Sequence, residues 1–151
     1  MRRVFLDSSA WLAVADPENQ HHRVAAEYFM DLIRRGDELV TSSDVLRETY
    51  ARCQRVLGSS GAALLHHTMK SARRQGLLQV VAVDSEIARK AWDIFERYHD
   101  RLSSFRHCTS FVVAGRMGVQ DIFSFHQDFD AIGFRVWPRP GTNGDGRDLT
   151  V

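Results

Sequence analysis

Residues 3–9 of this 151-residue chain read Arg3-Val4-Phe5-Leu6-Asp7-Ser8-Ser9, and they give the clearest indication of its fold. An apolar run leads into a carboxylate and two serines, a pattern typical of a short buried strand that passes directly into a helix. We therefore predict a strand over residues 3–7, followed by a helix that Ser8 or Ser9 caps and that continues through Val14. The carboxylate would then lie at the carboxyl end of the first strand.

Strand and helix signals alternate along the rest of the chain. Glycines and serines at 58–61 are predicted to separate two helices. Further strands are predicted at residues 38–41, 77–83, 119–125 and 134–137, and helices at 21–35, 42–57 and 106–116, with two more that end near Gln75 and before Asp100. Strands separated by helices pair in parallel through crossovers. The predicted fold class is therefore α/β, a three-layer sandwich with a central, mostly parallel sheet of four to five strands flanked by helices.

The amino-acid composition argues against several classes of protein. Twenty basic and 19 acidic residues give a formal net charge of +1, which argues against a dedicated binder of duplex DNA. Two cysteines at unrelated positions predict reduced thiols and a cytoplasmic protein, and no apolar run reaches the roughly 18 residues of a membrane span. We expect one domain over residues 1–140 and, because residues 141–151 are rich in glycine and poor in apolar residues, a flexible C-terminal tail.

Candidate site residues follow from the predicted sheet, because sites in parallel α/β folds gather at the carboxyl ends of strands. Asp7 ends the first strand, where it could equally be a helix cap. His126 follows the fourth strand, with Asp128 two residues later, and His107 opens the short helix. Glu48 lies inside the third helix beside arginines, which by itself is typical of a solvated surface residue.

Taken in order, the segments around these residues resemble the PIN-domain family, in particular the VapC-type toxins of bacterial toxin–antitoxin pairs. The resemblance extends from residue 3 to about residue 137. The segments that carry it are Val4-Phe5-Leu6-Asp7-Ser8-Ser9, Thr41-Ser42-Ser43-Asp44-Val45-Leu46-Arg47-Glu48-Thr49, Tyr98-His99-Asp100-Arg101-Leu102-Ser103, Cys108-Thr109-Ser110-Phe111, Phe125-His126-Gln127-Asp128-Phe129 and Gly133-Phe134.

The resemblance implies a metal-dependent endoribonuclease that hydrolyses RNA phosphodiester bonds with Mg²⁺ or Mn²⁺ in an acidic pocket. It also implies a homodimer and a small antitoxin protein as partner. Asp7 would be the first acid of the pocket and Glu48 the second, and Ser8 or Ser9 would support a ligand or a bound water. Carboxylate oxygens are suited to such hard divalent ions, which activate water and stabilise phosphoryl charge.

The chain departs from the family pattern at two acids. His107 and His126 stand where relatives usually have aspartates, and Asp128 stands where a histidine is common. We expect both histidines to belong to the catalytic set, Asp128 to join Asp7 and Glu48 as a metal ligand, and Asp100 and Ser110 to support the site. Imidazole is better suited to Mn²⁺, Zn²⁺ or Ni²⁺ than to Mg²⁺, so weaker Mg²⁺ binding and a preference for Mn²⁺ are predicted.

Two basic helix faces are candidates for RNA binding, namely Arg47 with Arg52 and Lys70 with Arg73. Ordinary solvent-exposed helix faces would show the same pattern of basic residues.

The two acid-to-histidine changes favour an alternative function, a catalytically weak or inactive PIN domain that binds antitoxin or RNA. A phosphatase with an aspartate nucleophile would need a second aspartate where Ser9 stands. No glycine-rich dinucleotide motif follows a strand, and no His-Glu-x-x-His zinc motif occurs.

Overall fold

A five-stranded parallel sheet forms the centre of the fold. The computed structural model describes residues 1–139, and the tail predicted at residues 141–151 lies outside the described residues. The sheet order is β3-β2-β1-β4-β5, and every neighbouring pair is parallel, which confirms the predicted fold class. The strands are β1 (Arg3–Leu6), β2 (Glu38–Ser42), β3 (Leu78–Val81), β4 (Asp121–Phe123) and β5 (Arg135–Trp137).

The helices form two groups that flank the sheet. α1 contacts α2 and α3, and α4 contacts α5. None of the helices in residues 1–139 is long and apolar enough to cross a membrane. Their bounds are α1 (Ser8–Ala15), α2 (His22–Arg35), α3 (Ser43–Arg74), α4 (Ser85–Tyr98), α5 (Cys108–Arg116) and α6 (Asp128–Ala131), and a 3₁₀ turn at Phe105–His107 precedes α5.

The central strand β1 explains why the first apolar run has no polar alternation. Val4, Phe5 and Leu6 are completely buried, since helices cover both faces of a parallel sheet. β1 pairs with β2 on one side and with β4 on the other. Residues that follow β1 and β4 therefore come together at one edge of the sheet.

The structure decides between the three residues considered as the cap of α1. Asp7, and not Ser8 or Ser9, is its N-cap: the backbone of Asp7 is extended, and its carboxylate accepts the N–H of Ser9 at 3.5 Å. The hydroxyl of Ser8 is buried without a partner and so does not cap the helix. Ser42 caps α3 by accepting the N–H of Val45 at 3.2 Å.

The predicted break at residues 58–61 is confined to one residue. Gly58 has φ +74° and ψ 179°, a conformation that glycine adopts without steric cost, and α3 continues on both sides of it. The four-residue helix α6 was not predicted, because one turn is too short to show a helical period. β3 and β4 are shorter than the apolar runs that predicted them.

Candidate active site

Asp7 lies at the edge where the carboxyl ends of β1 and β4 meet. Its backbone N–H donates to the carbonyl of Phe123 at 3.1 Å. Its Oδ2 accepts the hydroxyls of Ser9 at 3.0 Å and Ser124 at 3.1 Å. Its Oδ1 is buried and has no hydrogen-bond partner. A buried carboxylate oxygen without a partner costs about 1–3 kcal/mol, so the arrangement favours a ligand at this position.

A second buried carboxylate, Asp128, holds His107. The Oδ2 of Asp128 accepts Nδ1–H of His107 at 3.0 Å and the hydroxyl of Ser103 at 3.0 Å, and its Oδ1 accepts the N–H of Ser103 at 3.0 Å. Burial raises the pKa of Asp128, but the hydrogen bonds from His107 and Ser103 outweigh it and hold the pKa below its usual value. Asp128 is therefore ionised and fixes the orientation of the imidazole.

The far side of the His107 ring faces Asp7. Nε2 of His107 lies 3.9 Å from Oδ2 of Asp7 and is buried without a hydrogen-bond partner. Because a carboxylate only accepts hydrogen bonds, Nδ1 of His107 carries a proton, and Nε2 is the ring nitrogen that remains for a ligand. The protein thus places the unpartnered imidazole nitrogen of His107 3.9 Å from Oδ2 of the Asp7 carboxylate, whose other oxygen, Oδ1, is the unpartnered one.

His126 packs against the same ring. The centroids of the His126 and His107 rings are 4.2 Å apart. Nδ1 of His126 accepts the N–H of Asp128 at 3.2 Å, and Nε2 lies 3.3 Å from the hydroxyl of Ser103. Burial, followed by the charge of His107, lowers the pKa of His126. The ring is therefore neutral at pH 7.

Glu48 forms the opposite wall of an open pocket of about 390 Å³ that Asp7 also lines, together with Ser110. Oε1 of Glu48 accepts a hydrogen bond from Nη1 of Arg106 at 2.7 Å and lies 3.4 Å from Nη1 of Arg52. Both acids expected from the sequence thus face one pocket. The charge of Glu48, however, is offset by two guanidinium groups.

The remaining predicted residues are dispersed. Asp100 is exposed on the turn after α4 and does not line the pocket. Arg47 lines the pocket and pairs with Asp44 at 3.0 Å. Lys70 and Arg73 line a separate depression of about 220 Å³ on α3. The four candidate RNA-binding residues therefore occupy two places.

Three residues of this network were missed in the sequence. Ser124 directly follows β4, so the rule that sites lie at the carboxyl ends of strands would have found it. Ser103 and Arg106 lie in the segment between α4 and α5 and carry no local signal. Their roles appear only because the fold brings this segment against Asp128 and Glu48.

Two donor sets could hold a divalent ion. One ligand atom each from His107, His126 and Asp128 lie within 4.8 Å of one another. The unpartnered atoms of Asp7 and His107 form the second set. The buried orphan atoms show that the residues present fit a bound cation, and the mixture of nitrogen and oxygen donors differs from the all-oxygen environment that Mg²⁺ prefers.

Comparison with known proteins agrees with this architecture. The model of the PIN domain family matches residues 4–135. VapC20 of Mycobacterium tuberculosis, named a 23S rRNA-specific endonuclease, is 28% identical over 131 residues, which cover 87% of this chain and 95% of the relative. The crystal structure of that protein, described as a Sarcin-Ricin loop cleaving toxin, superposes with a TM-score of 0.72 over the same shares of the two chains, at 28% identity.

More distant structures share the fold alone. FitAcB of Neisseria gonorrhoeae is 14% identical with a TM-score of 0.65, covering 89% of this chain and 96% of that one. DNA-bound VapBC of Salmonella typhimurium is 17% identical with a TM-score of 0.61, covering 91% and 98%. The family match confirms both the family and the enzyme class expected from the sequence. The chain belongs to the PIN-domain family, whose members are metal-dependent nucleases.

Proposed function

We propose that the protein is an endoribonuclease, the toxin of a toxin–antitoxin pair, that hydrolyses RNA phosphodiester bonds with a bound Mg²⁺ or Mn²⁺. The observation that carries the proposal is Asp7, a buried carboxylate with an unpartnered oxygen at the edge of a pocket that Glu48 also lines. The name of the relative VapC20 supports RNA as the substrate.

Each side chain has a role that its contacts support. Asp7 and Glu48 would hold the ion, which, when bound, supplies Lewis-acid activation of water and stabilises phosphoryl charge. Ser9 and Ser124 hold Oδ2 of Asp7, which leaves Oδ1 free. Arg106, half exposed at the pocket, is placed to bind a phosphate of the substrate.

We further propose a small antitoxin protein as partner, a homodimer and a cytoplasmic location. The likeness in fold to VapBC complexes supports an antitoxin protein as partner. Dimerisation rests on the family resemblance. Cys53 and Cys108 are both free, which agrees with a reducing compartment.

The test incubates the purified chain with 23S rRNA and with an unrelated structured RNA, in the presence of Mg²⁺ or Mn²⁺. We expect cleavage that stops in chelator and falls at least about 100-fold in Asp7→Asn, because the ion loses a charged ligand. Cleavage that survives both the chelator and Asp7→Asn would show that this pocket is not the catalytic site.

One observation favours a second candidate, a PIN domain that binds RNA or antitoxin without cutting. Histidines replace two acids, and arginines offset the charge of Glu48. Adding the His107→Asp/His126→Asp double variant to the same assay separates the two functions. A silent native chain together with a cleaving double variant would establish the second candidate.

A further inference from the structure

We propose that His107 is itself a metal ligand, paired with Asp7, and that Asp128 is the residue that positions it. The site in this chain then selects a d-block divalent ion such as Mn²⁺, Co²⁺ or Zn²⁺ over Mg²⁺. This inference rests on the proposed function, since it concerns the same pocket, but its test does not depend on RNA cleavage.

Unsatisfied buried atoms lie at Asp7, Ser8 and His107. Across residues 1–139, the buried side-chain nitrogen and oxygen atoms without a hydrogen-bond partner are Oδ1 of Asp7, Oγ of Ser8 and Nε2 of His107. Buried polar atoms without partners are rare in native proteins and call for a ligand or a function. Two of the three belong to Asp7 and His107, and Nε2 of His107 is 3.9 Å from Oδ2, the other oxygen of the Asp7 carboxylate.

The orientation of the His107 ring also favours a metal ligand. Asp128 takes the proton-bearing Nδ1, so Nε2 is the ring nitrogen that faces Asp7. A carboxylate that binds the other nitrogen of a histidine is the usual outer partner of a metal-bound imidazole, because it fixes the tautomer and raises the basicity of the ligand. Asp128 already accepts three hydrogen bonds and therefore acts through His107.

His126 is not the nitrogen ligand, because both of its ring nitrogens are hydrogen-bonded. Its Nδ1 accepts the N–H of Asp128. The hydroxyl of Ser103 donates to Asp128, so it accepts from Nε2–H of His126. Both nitrogens of neutral His126 are thus engaged, although the ring lies within reach of the cluster. His126 instead packs against His107 and limits rotation of that ring.

Distance and access both suit an ion between His107 and Asp7. Two ligand atoms at about 2.1 Å from one ion lie at most about 4.2 Å apart. Nε2 of His107 is 3.9 Å from Oδ2 of Asp7, so the two side chains are close enough to share an ion, with Oδ1 of Asp7 as the oxygen that no hydroxyl occupies. Asp7 lines the open pocket, which provides a route from solvent. A nitrogen donor favours d-block ions and disfavours Mg²⁺, which prefers oxygen.

The test measures metal binding to the full-length, metal-free chain without RNA. Mn²⁺ is the probe, because pulsed electron paramagnetic resonance detects a nitrogen bonded to this ion, and calorimetry gives the dissociation constants of Mn²⁺ and Mg²⁺. We expect a nitrogen signal and at least about tenfold tighter binding of Mn²⁺. A native chain that does not bind Mn²⁺, binds it through oxygen alone, or binds both ions equally overturns the proposal.

Substitutions then assign the ligand. His107→Gln keeps a similar volume and is expected to remove the nitrogen signal and weaken Mn²⁺ binding at least about tenfold, and His107→Asp to shift the preference about tenfold toward Mg²⁺. The exposed His99→Gln is the matched control and keeps the native values. A nitrogen signal that survives His107→Gln and disappears in His126→Gln overturns the proposal. Thermal unfolding verifies that each variant is folded.

Asp128→Asn tests the positioning role. The dissociation constant of Mn²⁺ should rise about 10–100-fold, with the nitrogen signal retained at saturating Mn²⁺. An unchanged dissociation constant shows that Asp128 does not act through His107. If the native chain binds Mn²⁺ with a nitrogen signal but does not cleave RNA, the proposed nuclease is refuted and the metal site is supported. If the chain cleaves RNA with an ion that is bound through oxygen alone, the proposed nuclease is supported and the nitrogen ligand is refuted.

Discussion

The two walls of the pocket are built in opposite ways. On the Asp7 wall, Asp128 and His107 are buried and joined by short hydrogen bonds to serines and to each other. On the facing wall, Glu48 is half-buried and paired with the partly exposed Arg106. The first wall is a solvent-excluded network with fixed orientations, whereas the second is an ion-pair cluster that salt screens. Geometry and charge at this pocket are therefore set by separate parts of the chain.

The largest expected effect follows from breaking the buried wall. Asp128→Ala leaves the buried Nδ1–H of His107 without an acceptor and should lower the free energy of unfolding by about 3 kcal/mol. Urea denaturation in chelator measures it. Asp44→Ala, which removes the exposed ion pair with Arg47, is the matched control and should cost under about 1 kcal/mol. Equal losses in the two variants would contradict the contrast between the walls.

Acid should weaken the same wall in two stages. Burial and the charge of His107 lower the pKa of His126 in the folded chain. As the pH falls below about 6.5, the imidazole of His126 is therefore protonated in the unfolded chain before it is protonated in the folded chain. Although burial opposes it, hydrogen bonding lowers the pKa of Asp128, so the unfolded chain again binds the proton first below about pH 4. In both windows the unfolded state holds more protons, and stability decreases as the pH falls.

Unfolding free energies measured from pH 8 to pH 3 in chelator test this order. His126→Gln has no titrating ring and should lose the first stage while keeping the second. A variant with the native profile between pH 7 and pH 5 would mean that another group titrates there.

A smaller effect is expected on the exposed wall. Arg106→Ala releases Glu48 from its shorter ion pair and should tighten Mn²⁺ binding by up to about fivefold, less at high salt, because both side chains are partly exposed. Arg47→Ala is the control: it lines the same pocket but pairs with Asp44. Calorimetry at two salt concentrations measures the Mn²⁺ affinity of both variants. A weaker Mn²⁺ affinity in Arg106→Ala would argue against competition between Arg106 and the ion for Glu48.

The smallest effect concerns RNA binding beyond the pocket. If the substrate spans both basic places, Arg47→Ala and Lys70→Ala should each weaken RNA binding about two- to threefold and reduce the slope of log Kd against log salt by about 0.7. Arg89→Ala, which pairs with Asp93 on α4, should change neither. An effect of Arg47→Ala alone would confine the RNA to the pocket.

Local sequence was sufficient for the strand framework and for Asp7. Strands buried in a parallel sheet appear in the sequence as continuous apolar runs, and functional sites form at the carboxyl ends of such strands. Residues 4–7 therefore indicated both the strand and the position of Asp7 at its end. Position along the chain also marked His107 and His126, which the structure brings into contact. Their contact could be expected because the resemblance to the family placed both at acid positions.

The roles of the other site residues depend on tertiary contacts. Asp128 was expected to be a ligand, and we instead propose a positioning role because its oxygens accept hydrogen bonds from Ser103 and His107, partners 25 and 21 residues distant. The pairing of Arg106 with Glu48 spans 58 residues and has no local pattern. Asp100 was chosen for its charge, but the turn after α4 leaves it exposed. Hydrogen-bond satisfaction, which decides these roles, is not encoded in periodicity or propensity.

The central position of β1 has a kinetic consequence. Its amides are hydrogen-bonded within the sheet between β2 and β4 and are expected to exchange with deuterium only through global unfolding, so Asp7 is carried by the most protected part of the chain. Ser103 and Arg106 lie in the segment between α4 and α5, outside the sheet, and we expect this segment to open at a lower free energy than β1. Such an opening would release Asp128 and Glu48 from their partners while leaving Asp7 in place, so the pocket would change shape without loss of the fold.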